Sequence, residues 1–137
     1  MNLSQDGISG WFTTIEYSQN SVNLDAVKGL FPQYEFETGN WTNWWIMSGM
    51  RLGARLSSGL ELAGTAQMGA LFSSSPTLTV TGNGYKEIVA AWTQNGFAFG
   101  FGAECIVEEH FIIFARFANS EAKVSISQLT LTGGYQF

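Results

Sequence analysis

The sequence predicts an all-β fold, an antiparallel up-and-down transmembrane β-barrel, with about 6–8 strands supplied by residues 1–137 as a single domain. Three observations predict this fold. Six segments place apolar residues at alternate positions, which is the period of a β-strand. Charged residues make up 12% of the chain and aromatic residues 15%, whereas a typical soluble domain is about 25% charged. The charges inside the six segments all fall on the same side of the alternation.

Each segment has one largely apolar face and one mixed face. In residues 8–17, Trp11, Ile15 and Tyr17 alternate with positions that include Glu16. Most of the segments reach the roughly 9–11 residues that a tilted membrane strand needs. No run of about 18 apolar residues exists, which excludes a transmembrane helix. In chain order the segments are residues 8–17, 44–56, 60–72, 97–107, 111–118 and 128–137.

The position of the charges predicts which face points outward. The second face carries three arginines and three glutamates together with many Gly and Ala residues, which suits the narrow lumen of a small barrel. The predicted lumen charge network is Glu16, Arg51, Arg55, Glu61, Glu104 and Arg116. The predicted lipid-facing residues are Leu62, Met68, Phe99, Phe101, Ile113 and Phe117. The alternative is a soluble β-sandwich, whose charged face would meet water while its apolar face formed the core.

Short and long connections alternate along the chain. The three-residue connection Ser57-Ser-Gly59 predicts a hairpin that sets Arg55 opposite Glu61. The connection 108–110 sets Val107 opposite Phe111, which places Arg116 one diagonal step from Glu104. Segments 18–43, 73–95 and about 118–128 are longer and rich in Ser, Asn, Thr and Gly, so we expect loops there. Short turns at one end and long loops at the other are typical of outer-membrane barrels, whose long loops lie outside the cell.

The last nine residues, Leu129-Thr-Leu-Thr-Gly-Gly-Tyr-Gln-Phe137, alternate to a final aromatic residue. This ending resembles the C-terminal strand of bacterial outer-membrane β-barrels of the OmpA-like or porin-like type, which the barrel-assembly machinery recognises. The resemblance implies an assembly signal formed by Leu131, Tyr135 and Phe137. It also implies location in the outer membrane of a Gram-negative bacterium, and most families of this type have non-enzymatic roles.

Six strands are fewer than the eight of the smallest bacterial outer-membrane barrels. Three explanations remain open at this stage: an N-terminal hairpin is missing, so that the chain is a C-terminal portion; the segments Thr77–Val80 and Glu87–Trp92, which flank Thr81-Gly-Asn-Gly84, supply two strands; or several chains share one barrel. The start of the chain is polar and shows no secretory signal. An outer-membrane protein is therefore expected to have lost its signal, or this chain is a fragment.

Few residues offer catalytic or metal chemistry. The single histidine, His110, falls in a short turn, away from the extracellular rim where enzymes of this type keep their catalytic residues. Cys105 and Glu104 point to opposite faces and cannot ligate one ion together. The net charge of −5 argues against nucleic-acid binding. We therefore predict no catalytic residues, no metal and no cofactor.

The predicted function is structural or binding. Extracellular loops, especially residues 30–37, would contact a partner, and the lumen would be largely plugged by its balanced charges. The predicted partners are the lipid bilayer, the barrel-assembly machinery and, as a further possibility, other copies of the chain. One alternative is a porin-like channel. The other is a soluble calyx that binds a small apolar ligand, in which Phe97, Phe99 and Phe101 would point inward.

Overall fold

The computed structural model describes residues 7–108, 110–121 and 123–135. Strands dominate this part of the chain, and α1 is a short helix. The elements are β1 (Gly7–Ser21), α1 (Asp25–Leu30), β2 (Glu35–Thr38), β3 (Asn40–Ser57), β4 (Leu60–Ser74), β5 (Leu78–Gly82), β6 (Tyr85–Val89), β7 (Thr93–Val107), β8 (Phe111–Glu121) and β9 (Ile126–Tyr135). The described residues contain no helix that is long and apolar enough to cross a membrane.

The long strands form a six-stranded sheet in the order β1-β3-β4-β7-β8-β9, and β2, β5 and β6 form a separate three-stranded sheet. Strands β7, β8 and β9 pair antiparallel, with Val107 opposite Phe111 and Ala115 opposite Leu131. The register that the short connection predicts between β7 and β8 is therefore confirmed. The antiparallel all-β architecture agrees with the predicted fold class.

Strands β3 and β4 approach each other so closely at Gly53 that only glycine fits there. A Cβ atom added to Gly53 would lie 2.1 Å from the carbonyl oxygen of Leu62 and 2.6 Å from Cα of Ala63. These contacts are closer than any side chain tolerates, so the glycine allows the two backbones to meet. They also place Gly53 across from Ala63, which is the register that sets Arg55 opposite Glu61.

Burial alternates along the long strands as the sequence predicts. Positions from Trp11 to Tyr17 are exposed at odd numbers and half-buried at even numbers. In β3, Trp45 and Met47 are fully buried, whereas Trp44, which precedes them, and Ile46, which lies between them, are exposed. The exposed side carries the large apolar residues. A soluble β-sandwich or calyx would instead expose a polar side to water and bury its large apolar residues.

The chain divides into two compact units. The first consists of the described residues up to Ile15, of Trp45–Leu71 and of the described residues from Gly96 on. Its buried cluster contains Trp45, Met47, Leu71, Ala98 and Ala118, with Ile126 packed against it. The prediction of a single domain over residues 1–137 stays a prediction.

The second unit consists of Glu16–Trp44 and Phe72–Asn95 and contains the three-stranded sheet. Strand β5 pairs with β2 on one side and with β6 on the other, both antiparallel. The turn between β5 and β6 uses Asn83 and Gly84 at φ values of 52° and 75°. Positive φ at both central residues is the geometry of a tight two-residue hairpin, which Asn-Gly favours.

The segments 18–43, 73–95 and about 118–128, which were expected to form long loops, contain more regular structure than that expectation, and the hairpin signalled between Thr77–Val80 and Glu87–Trp92 is present as β5 and β6 in the separate sheet. The long strands continue into these segments: β1 extends to Ser21, β4 to Ser74 and β8 to Glu121. The segments also supply α1 and the three-stranded sheet. Polar composition misled the prediction, because Ser, Thr and Asn are common in exposed strands as well as in loops. In the extended parts of β3, β4 and β8 the buried side carries polar residues, Asn43, Ser73 and Ser120, and β6 has no buried side, so apolar residues do not alternate there.

Candidate functional site

The first candidate site is the set of charges on the buried side of the six-stranded sheet. Arg51 donates to Glu104 across 2.5 Å, and Arg55 donates to Glu61 from Nη2 at 2.5 Å and from Nε at 2.9 Å. The Arg55–Glu61 pair joins the adjacent strands β3 and β4, whereas the Arg51–Glu104 pair joins β3 to β7, which are separated by β4 in the strand order. The small cavity that Arg51, Glu61 and Glu104 line together cannot hold a water molecule, while 31% of the Arg51 side chain and 16% of the Glu104 side chain remain exposed.

Arg116 is the most buried of the predicted charges, with 1% of its surface exposed. Its Nη1 donates to Oε1 of Gln67 at 3.1 Å and to Oγ1 of Thr14 at 3.3 Å, and it lies 3.6 Å from the sulfur of Met47. These contacts anchor the guanidinium to β1, β3 and β4 at once. A buried cation of this kind depends on such partners, because desolvation of an unpaired charge is costly.

The diagonal step between Arg116 and Glu104 is present in the register, since Gly102 lies opposite Arg116 and Glu104 opposite Phe114. Glu104 nevertheless bonds Arg51. The sixth predicted charge, Glu16, is half-buried on the same alternating side of β1 as Phe12 and Thr14. Sequence reasoning missed the roles of Thr14, Met47 and Gln67 around Arg116. Thr14 and Gln67 are polar residues on the mixed faces of their strands, and that pattern is the sequence signal that could have indicated these contacts.

Fully buried side chains pack next to the charges. Trp45, Met47 and Leu71 are completely covered. Among the described residues, Nε1 of Trp45, Oγ1 of Thr65 and Nε2 of Gln67 are buried without a hydrogen-bond partner. The buried side of the six-stranded sheet is therefore a packed mixture of apolar and polar groups.

The six residues predicted to face lipid lie on the exposed side of the same sheet. Phe101, Met68 and Ile113 are more than half exposed, and Phe99 is half-buried against Phe101 with ring centroids 6.3 Å apart. Leu62 and Phe117 are exposed as well. Whether lipid or water contacts this surface depends on where the protein is located.

Two residues of the predicted assembly signal lie in β9. Leu131 pairs with Ala115 and Tyr135 with Phe111, and both side chains are exposed. The ring of Tyr135 stacks on His110 and meets the edge of Phe111. The third residue, Phe137, lies outside the described residues.

The second candidate site is the three-stranded sheet. All five residues of β6 are exposed, and they include Tyr85, Ile88 and Val89. The hydroxyl of Tyr85 donates to the carboxylate of Glu87, and this hydrogen bond is the main cause that raises the pKa of Tyr85 above its ordinary value. Of the predicted loop 30–37, Leu30 ends α1 and residues 35–37 form most of β2.

The same unit holds a tryptophan pair. The indole N–H of Trp41 donates to the hydroxyl of Ser73, which in turn donates to Asn43 at 2.7 Å. Trp92 meets Trp41 edge to face, with ring centroids 5.2 Å apart. These contacts tie β3, β4 and the residues before β7 together. Within the described ranges, no group of His, Cys, Asp and Glu side chains is arranged to hold a metal ion.

Comparison with known proteins identifies the fold. No protein-family model matches the sequence, and no curated protein matches it. Among solved structures, the chain is similar to Ail, the attachment invasion locus protein of Yersinia pestis, at 16% identity and a TM-score of 0.61. The match covers 94% of this chain and 73% of that one. Ail is an outer-membrane β-barrel protein, and the fold of this chain is that of a small outer-membrane β-barrel.

Proposed function

We propose that this chain is a non-enzymatic protein of the bacterial outer membrane that binds a partner outside the cell through its three-stranded sheet. The observation that carries the proposal is strand β6, because it lies at an edge of that sheet with all five side chains exposed. An edge strand offers unpaired backbone groups to a partner, and exposed apolar side chains beside it add contact area.

Strand β6 exposes large apolar side chains, which a strand without a binding role would not need. Ile88 is 60% exposed and Tyr85 52% exposed. Natural edge strands are commonly protected by charges or by very short length. Strand β6 has two charged residues among its five, Lys86 and Glu87, so a partner at this edge must accommodate one charge of each sign beside the exposed apolar side chains. The name of the structural neighbour describes attachment, and we extend that role to this chain as part of the proposal.

The buried side of the six-stranded sheet supports a plugged lumen rather than a pore. Trp45 and Arg116 fill space on that side, and the two ion pairs balance their own charges. A conducting pore needs a water-filled path with unpaired polar groups along it. We therefore assign the proposed binding role to the three-stranded sheet rather than to the lumen.

The remaining partners follow from the exposed side and from β9. We propose that the six exposed apolar residues, Leu62, Met68, Phe99, Phe101, Ile113 and Phe117, contact the lipid bilayer. The apolar side chains of Leu131 and Tyr135 would present the last strand to the barrel-assembly machinery. Contact between copies of the chain stays an additional proposal.

The test is attachment of bacteria that carry the protein to cultured epithelial cells. The chain is produced with a secretion signal in a Gram-negative host, and surface exposure is checked by antibody labelling of intact cells. Ile88→Asp should reduce attachment, because it places a charge beside the edge of β6. Val27→Asp is the matched control, since Val27 is also an exposed apolar residue of the same unit, in α1, and lies outside the segment 30–37.

Attachment that is unchanged by Ile88→Asp would contradict the proposal. Equal loss in the Ile88 and Val27 variants would contradict it too, because the effect would then not belong to β6. A far-UV circular dichroism spectrum and heat-modifiable gel mobility of each purified variant show that the barrel has folded.

A further inference from the structure

The exposed side of the six-stranded sheet contains an apolar groove of about 710 Å³. This volume lies within the range of roughly 300–1,000 Å³ found for small-molecule sites. On β3 and β4 its lining combines small residues, Ser48, Gly64 and Ala66, with the larger apolar residues Met50, Leu52 and Met68. Trp11 borders it on one side, and Phe99 and Phe101 border it on the other.

The groove is largely apolar, and of its three polar lining residues, Ser48, Thr65 and Gln67, the last two are buried, with 6% and 5% of their surface exposed. No charged residue lines it. Its one outward-facing hydroxyl, that of Ser48, is already bonded: it lies 3.3 Å from the carbonyl oxygen of Phe12 and 3.2 Å from the hydroxyl of Thr13. The groove therefore offers no polar group to orient a hydrophilic ligand.

The aromatic side is stiffened by its own contacts. Phe99 and Phe101 meet at a 62° interplanar angle, which is an edge-to-face arrangement. Phe99 is half-buried although the residues around it on this side are exposed. The groove therefore combines the small residues of β3 and β4 with paired aromatic rings and with three exposed aliphatic or thioether side chains, and it is not a gap left by a single side chain.

We infer that this groove binds one acyl chain of a membrane phospholipid. The inference rests on the proposed function, which places this side of the sheet in hydrocarbon. In that medium the hydrophobic effect gives no preference for the groove, so occupancy depends on van der Waals packing. An unbranched chain fits an apolar groove bordered by aromatic rings and needs no polar partner. A second copy of this chain is the other possible occupant. It would have to fill the groove with side chains from its own exposed side, such as Ile113 and Phe117, and a stable contact would bury about 800 Å² of each copy.

The experiment maps contact between lipid and protein in a bilayer. The protein is reconstituted into dioleoylphosphatidylcholine vesicles that contain a phospholipid with a diazirine in the middle of one acyl chain. After photolysis, labelled residues are quantified by peptide mass spectrometry. The expected result is labelling of residues 48–52 and 64–68 that clearly exceeds labelling of residues 113–117 on the exposed side of β8.

Two variants distinguish a site from general lipid contact. Ala66→Phe fills part of the groove and should reduce labelling of the groove to the level of β8. Ala115→Phe is the matched control, because Ala115 is an exposed alanine of the same sheet that lies outside the groove and opposite Ala103 and Leu131. It should leave groove labelling unchanged. Phe101→Ala, which lowers the aromatic side without adding bulk, should weaken labelling as well and covers the case in which Ala66→Phe does not fold.

Each outcome separates the groove from the membrane proposal. Uniform labelling of all exposed faces, or equal effects of Ala66→Phe and Ala115→Phe, would overturn the groove while leaving the membrane location in place. Protein that folds yet shows no labelling on any strand would overturn the proposed function itself. Copies that cross-link to one another through residues 48–52 would assign the groove to a second copy and also overturn the inference.

Discussion

Replacing Phe101 by Arg tests whether the exposed apolar side of the sheet lies in a membrane. Phe101 is 62% exposed and lies six residues before Val107, the last residue of β7. With a rise of about 3.3 Å per residue and a tilt of about 40°, six residues correspond to a height of about 15 Å. The apolar band of such a barrel is about 25 Å tall, so Phe101 would lie near its middle.

The expected loss of stability follows from that depth. An arginine near the bilayer midplane of an outer-membrane barrel costs about 2–4 kcal/mol, which lowers the folding equilibrium constant roughly 30- to 700-fold. The matched control is Phe97→Arg, on the same face of the same strand and 55% exposed. Phe97 is ten residues before Val107, at a height of about 25 Å, where the cost falls to about 0–1 kcal/mol.

The assay is reversible unfolding by guanidinium chloride in phospholipid vesicles, followed by tryptophan fluorescence and gel mobility. The free energy of unfolding should fall markedly more for Phe101→Arg than for Phe97→Arg. In a soluble protein both positions would be water-exposed, and each change would alter stability by only about 0.5 kcal/mol. Two small and similar effects would therefore refute the membrane reasoning.

Three further predictions concern the polar groups. Arg116→Met should destabilise the fold by about 1–3 kcal/mol, because its buried hydrogen-bond acceptors lose their donor; an unchanged denaturation midpoint would contradict the structure. Arg55→Gln and Glu61→Gln should each reduce the free energy of unfolding by less, about 0–1 kcal/mol, since 42% of the Arg55 side chain is exposed. A coupling energy above that range in a double-mutant cycle would contradict the inference that solvent exposure weakens this ion pair. Glu87→Gln should lower the pKa of Tyr85 toward its ordinary value, because the carboxylate accepts the phenol hydrogen bond and disfavours tyrosinate. Ultraviolet titration against a Tyr85→Phe control measures this pKa, and an unchanged value would mean that the bond does not form in solution.

The local pattern of the sequence was sufficient for the long strands and for the registers across short turns. Alternation separates the two faces of a strand because successive side chains point in opposite directions. A three-residue connection also leaves little freedom in pairing, so Arg55 meets Glu61 and Val107 meets Phe111 as predicted. These features depend only on residues that are close in the chain.

The three-stranded sheet depended on tertiary structure. Glu35 pairs with Thr81, and Thr38 with Leu78, across about forty residues of chain. Strand β2 has four residues, too few for alternation to be recognised, and β6 has no buried face to produce it. A hairpin signal predicted that β5 and β6 would pair, but no local signal indicates which third strand joins them.

The partners of the buried charges were also decided by tertiary structure. The sequence by itself determined that Arg51, Glu104 and Arg116 share one side of the sheet. It left open which acid meets which base, because several oppositely charged groups on that side satisfy the same alternation. Packing of the whole interior made the choice: Glu104 bonds Arg51, and Arg116 reaches Gln67 and Thr14. Alternation is a property of one strand, whereas contacts between strands depend on the register and curvature of the complete sheet.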